Sequence, residues 1–111
     1  RSSFTWSLLM TETISKKEVL ELAMKVVADR ETEYDSPYDN FRRTANLWAT
    51  HLRNRYGRNH TIPVLDEADV ALMLDLVKTA RLEFDPTHLD SWVDKAGYAA
   101  CGANCTVRVE S

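Results

Sequence analysis

The stretch DEADVALMLDLVKTARLEFDPTHLDSWVDKAGYAACG, residues 66–102, decides the fold. Asp66 and Asp69 stand three apart ahead of an apolar run, the spacing of a helix cap and its partner, so a helix starts there. Val70, Ala71, Leu72, Met73, Leu74, Leu76, Val77, Ala80, Leu82 and Phe84 then surround nearly the whole cylinder. A helix apolar on most sides is expected to be a central, buried one. Pro86 stops it. A second helix begins between Thr87 and Asp90, with Trp92, Val93, Ala96, Ala99 and Ala100 as its apolar stripe and Gly102 as its expected end.

Two more helices lie upstream. Ser15-Lys16-Lys17-Glu18 is a capping-box pattern, and Val19, Leu22, Ala23, Val26 and Val27 follow at helical spacing. Its end falls within Asp29–Glu33. Ser36 then caps a helix with Pro37 in first position, where the missing N–H costs nothing. Phe41, Ala45, Trp48, Leu52 and Tyr56 form its inward face, and Gly57 ends it. No segment carries a persuasive period-2 strand. The expectation is an all-α four-helix bundle forming a single domain over residues 14–102. Residues 1–13 read as a disordered or extraneous N-terminal segment, with Met10 as a plausible natural start, and residues 103–111 as a C-terminal tail.

Composition narrows the function classes. The chain has 111 residues, 44% hydrophobic and 28% charged, with three Gly and three Pro, ordinary for one globular domain. No apolar run approaches the roughly 20 residues of a membrane-spanning helix. A net charge of −3 argues against a generic nucleic-acid binder, for which a basic excess is usual. Cys101 and Cys105 are too few for a disulfide framework, so the expected setting is reducing and cytoplasmic. The histidines are scattered without metal-ligand spacing, and no glycine-rich phosphate loop or nucleophile elbow is present.

Three features point toward a site. At about 100° per residue, Asp90, Asp94, Gly97 and Cys101 fall on one line of the last helix. Two carboxylates one turn apart can share a divalent cation, and a glycine beyond them permits close approach; alternatively Asp90 closes a capping box with Thr87, and Asp94 pairs in the neighbourhood of Lys95 or faces water. Asp69 lies on the same side as Met73, Leu76 and Ala80, the stripe expected to be most buried, so it is either a metal ligand or a first-turn acid satisfied by free N–H groups. Lys78 and Arg81, on an otherwise apolar helix, either reach out to solvent or are aimed at an anion. Charge is also segregated. From Phe41 to Leu65 there is no Asp or Glu, while Arg42, Arg43, Arg53, Arg55 and Arg58 all fall there; from Glu83 to Asp94 the chain carries Glu83, Asp85, Asp90 and Asp94 and no Lys or Arg. These arginines either share a cavity with the acids, form a solvated face of their helix, or make an interface for another subunit.

The blocks Asp29-Arg30…Tyr34-Asp35-Ser36-Pro37-Tyr38-Asp39-Asn40-Phe41…Leu47-Trp48, Asp69-Val70-Ala71-Leu72-Met73…Lys78-Thr79-Ala80-Arg81 and Asp90-Ser91-Trp92-Val93-Asp94-Lys95-Ala96-Gly97-Tyr98-Ala99 resemble a small helical family common in phage genomes. Asp35 stands where that family usually has glycine. More distantly the chain resembles nucleotide-modification-associated phage domains and the all-α MazG-like nucleoside triphosphate pyrophosphohydrolases. That resemblance implies MazG-like packing, Mg²⁺ held by Asp69, Asp90 and Asp94, phosphate contacts from Lys78 and Arg81, and base or sugar contacts from Tyr34 and Asn40. The glutamate-rich EExxE helix of those enzymes is replaced here by Asp66-Glu67-Ala68-Asp69, so a non-catalytic helical interaction module is the competing expectation. Either way, self-association is expected, because so small a domain has limited area to bury alone.

Overall fold

The computed structural model describes residues 12–33 and 35–109, and within them four helices: α1 (Lys16–Glu33), α2 (Pro37–Tyr56), α3 (Glu67–Phe84) and α4 (Leu89–Thr106). No strand occurs among the described residues. The all-α four-helix architecture expected from the sequence is the one observed.

Each start has the chemistry its sequence implies. Ser15 and Glu18 exchange bonds, the Glu18 N–H to Ser15 Oγ and the Ser15 N–H to Glu18 Oε1, both at 3.0 Å. Ser36 Oγ accepts from the Asp39 N–H, with Pro37 behind it. Asp66 and Asp69 close a complete capping box, the Asp69 N–H donating to Asp66 Oδ1 at 3.0 Å and the Asp66 N–H to Asp69 Oδ2 at 2.9 Å. At α4 the expected Thr87–Asp90 box does not form. Thr87 turns back to Asp85 through both its N–H and its hydroxyl, and His88 occupies the cap position without a side-chain cap bond.

The packing corrects the sequence reading in two places. α3 was expected at the centre, yet α4 is the helix that packs on all three others, while α1 packs chiefly on α4 and α3 is covered by α2 and α4. Small side chains make this possible. A Cβ added at Gly102 would lie 2.9 Å from Ala71 Cβ, closer than two carbons can sit, so the glycine lets α3 and α4 approach closely there. Gly102 is therefore an interior contact and not a terminator: α4 runs a further turn to Thr106 and buries Cys105. Correspondingly, Val93, Gly97 and Cys105 face inward, whereas Ala99 and Ala100 are exposed and Trp92 is half-exposed.

The main core cluster is Phe41, Ala45, Val70, Ala71 and Cys105, flanked by Trp48, Leu65, Leu74, Tyr98 and Cys101, and Ala23, Ala49, Leu82 and Val93 are buried outside it. Between α3 and α4, Lys95 Nζ donates to Asp75 Oδ2 at 2.9 Å and to Thr79 Oγ1 at 2.6 Å, a polar clamp beside the glycine contact. No helix in the described residues is long and apolar enough to cross a membrane.

Candidate functional site

Because α1 and α2 both lean on α4 without comparable packing on each other, a cleft opens between them. Its volume is about 210 Å³. α1 contributes Val26, Val27, Arg30 and Glu31 to its walls; Asp35 comes from the segment before α2, and Pro37, Asn40 and Phe41 from its start. Leu74 and Lys78 of α3, with Asp94, Gly97, Tyr98 and Cys101 of α4, form the floor. The line Asp94–Gly97–Cys101 read from helical spacing is thus one stripe of that floor.

Lys78 and Asp94 meet there as an ion pair, Nζ to Oδ2 at 2.8 Å, with 14% and 31% of their side chains exposed. A charge that deep is costly to bury without a partner, and Asp94 supplies one. Gly97 keeps the floor low: a Cβ there would reach Val27 Cγ2 at 3.6 Å, an ordinary contact, so its absence leaves space and does not relieve a clash. Burial, and after it the nearby Glu31 carboxylate, push the Cys101 thiol above its ordinary range. Burial likewise raises Cys105. Neither is placed as a nucleophile, which needs a lowered thiol pKa.

The site residues expected from the sequence separate into two groups. Asn40, Lys78 and Asp94 line the cleft together. Asp69, Asp90 and Arg81 do not reach it. The Asp69 carboxylate is spent on the α3 cap, and Asp90 is an exposed acid of the first turn of α4. Arg81 is exposed in the last turn of α3. Tyr34 lies outside the described residues. The expected convergence of Asp69, Asp90 and Asp94 is accordingly absent, and among the described residues no three acids, histidines or cysteines are grouped to hold a metal. The stripe thought to bury Asp69 is the open side of α3, which removes the premise that its carboxylate needed a cation. Arg42, Arg43, Arg53, Arg55 and Arg58 are all exposed, a solvated face of α2 and its following turn, with Arg43 paired to Asp35.

Arg30, Glu31, Asp35, Phe41 and Tyr98 join the site without having been singled out for a role. Their signal was available in part: Arg30, Asp35, Phe41 and Tyr98 sit inside the quoted motif blocks. Glu31 carried none.

A four-helix domain with a mixed-charge cleft between α1 and α2 is what the described residues define. The chain belongs to the family described as domain of unknown function DUF6378, which matches residues 18–106. It is similar to the gene 55 protein of Mycobacterium phage D29, 31% identical over 86 residues, which are 77% of this chain and 51% of that protein. The chain thus spans about half the length of the curated relative it matches, and the family is a phage-type one. No solved structure matches it.

Proposed function

We propose that the cleft binds a small anionic ligand, with a nucleoside triphosphate as the leading class. One observation carries the reading: three motif blocks far apart in sequence line a single cleft, with a largely buried lysine on its floor. Lys78 would exchange Asp94 for a phosphate oxygen, and Arg30 on the α1 wall adds a second cation. The half-buried Tyr98 offers an aromatic surface for a base, with Phe41 packed in the core beneath the cleft, and the Asn40 amide offers both a donor and an acceptor. The nucleotide class itself comes from the distant resemblance to all-α pyrophosphohydrolases.

The Mg²⁺ implied by that resemblance does not fit Asp69, Asp90 and Asp94 as a resident set, since the first is a cap, the third is a lysine's partner and the second is outside the cleft. No hydrolytic step is derived from them. Mg²⁺ would enter as the counter-ion a triphosphate brings with it.

The test is thermal shift and calorimetry with canonical and modified dNTPs and inorganic triphosphate, with and without Mg²⁺, alongside pyrophosphate release. A ligand at about 100 times its Kd should stabilise the fold by about 2.7 kcal/mol. Asn40→Ala, an exposed change, should weaken the response while leaving the unliganded protein intact. A response to no nucleotide, or one untouched by Asn40→Ala and Lys78→Met alike, would sink the proposal. Pyrophosphate release would make the site catalytic, and binding without release would make it a receptor.

A further inference from the structure

Charge is unevenly placed on this molecule. Residues 41–65 hold five arginines and no acid, whereas the rest of the chain holds all 17 acids against nine bases. The net charge of −3 therefore averages a basic α2 and its following loop over an acidic remainder. Projected at 100° per residue, the buried Phe41, Ala45 and Ala49 point into the bundle. Arg43, Thr50 and Asn54 point the opposite way, with Arg42, Asn46 and Arg53 along one flank, and all six are exposed. This side is turned away from α3 and α4, the helices on which α2 packs, and is open over the ~30 Å of a 20-residue helix. Asp39 and Asp35, the latter paired with Arg43, lie at its N-terminal end. Beyond them no acid follows until Asp66.

We propose that this face of α2 docks on a DNA duplex, chiefly on its phosphates. Three features select that partner. The first is side-chain type. Every Lys or Arg position in residues 41–65 is an arginine, whose planar fork matches phosphate oxygens. Asn46, Thr50 and Asn54 stand between them, amides and a hydroxyl of the kind that contact phosphates and base edges. Arg53 is already oriented on this side by its bond to Thr50 Oγ1 at 3.2 Å. The second is shape, since one helix open along its length fits the ~12 Å major groove of DNA, whereas the deep, narrow groove of an RNA duplex excludes it. The third is what the face lacks. Leu47, 66% exposed, is its one large apolar side chain, too little for the apolar centre of a protein interface or for insertion into a membrane. It presents no Phe, Tyr or Trp on which single-stranded bases would stack. The acidic remainder keeps the affinity in the roughly micromolar or weaker range of non-specific binding. The proposal does not rest on the ligand of the cleft.

The test is fluorescence anisotropy of the full chain with a labelled mixed-sequence DNA duplex of about 20 base pairs, between about 50 and 200 mM salt. Arg42, Arg53 and Arg58, which pair with no acid among the described residues, would neutralise three phosphates. Affinity should then fall about 40-fold across that range, a log–log slope of about −2.7. Arg53→Gln with Arg58→Gln should reduce the slope to about −1 while helical circular dichroism is unchanged. Lys16→Gln with Lys17→Gln, the same charge lost from the start of α1, should leave the slope as it was. No duplex binding at about 100 µM protein in the lowest salt would overturn the proposal, that being the weak limit of non-specific affinity. Equal losses in the two double variants would overturn it too, because net charge and not this face would then be acting. Binding as tight to a single strand or to labelled poly-glutamate would assign the face to another partner and refute the duplex.

Discussion

The same substitution at two glycines of α4 should stabilise the fold at one and fail to stabilise it at the other. Glycine in a helix interior costs about 1 kcal/mol relative to alanine, so Gly97→Ala and Gly102→Ala share the same propensity gain. They differ in what the new methyl meets. At residue 97 it reaches Val27 Cγ2 at 3.6 Å, and nothing has to move. At residue 102 it lies 2.9 Å from Ala71 Cβ, an atom with no torsion of its own, so two backbones must part. Ala71 is 5% exposed within the main core cluster, and parting them loosens Val70 and Phe41 as well. Overpacking of this kind costs about 1–3 kcal/mol. Gly97→Ala should therefore be stabilising by up to about 1 kcal/mol, and Gly102→Ala neutral to destabilising by about 2 kcal/mol. Because the propensity gain cancels between them, their difference measures the α3–α4 contact. Urea unfolding at constant m-value reads it, and the melting temperatures should separate by about 4–8 °C per kcal/mol. In the cycle with Ala71→Gly, which removes the clashing atom, Gly102→Ala should cost less than it does alone. If Gly102→Ala proved as stable as Gly97→Ala, the claim that glycine sets the α3–α4 spacing would be refuted.

Further outcomes follow from the caps and the buried pair. Lys78→Met leaves Asp94 without its partner on the cleft floor and should cost about 1–3 kcal/mol, most of it recovered by adding Asp94→Asn, as chemical denaturation of the cycle would register. Asp66→Ala removes the acceptor of the Asp69 N–H and should cost about 1 kcal/mol, while Asp69→Asn should affect stability and leave any nucleotide response unchanged; a lost response would place Asp69 in the site after all. On acidification, Glu18 and Asp85 are the groups to watch. The bonds from Ser15 hold the Glu18 carboxyl below its ordinary value, and those from Thr87 do the same for Asp85. Their folded values lie below the unfolded ones, so their contribution is complete above the ordinary carboxylate range and is lost as pH falls through the lowered values. Thermal melts from neutral to acid pH should decline there, and Thr87→Val, which removes the hydroxyl donor to Asp85, should flatten part of that decline, whereas Ser15→Ala keeps the backbone donor to Glu18 and should change it less.

Local order was legible from one dimension because its causes are local. Ser15, Ser36 and Asp66 lie within three residues of the groups they cap, and the apolar rhythm of each helix depends only on 3.6 residues per turn. So too with the Asp94–Gly97–Cys101 stripe, a property of one helix. Which helix stands at the centre was not legible. Hydropathy alone favoured α3, but a central helix must admit three neighbours, and closeness of approach is decided by small side chains such as Gly97 and Gly102, which hydropathy scores as neutral or as stops. That choice turned the Met73–Leu76–Ala80 side of α3 outward and took away the reason for a metal at Asp69. It also brought Arg30, Asn40, Lys78 and Asp94, from four separate segments, around one space. Helix identity is written in short-range spacing; the cleft exists because α1 and α2 both rest on α4 and leave a gap between them, a relation among distant residues that tertiary packing alone decides.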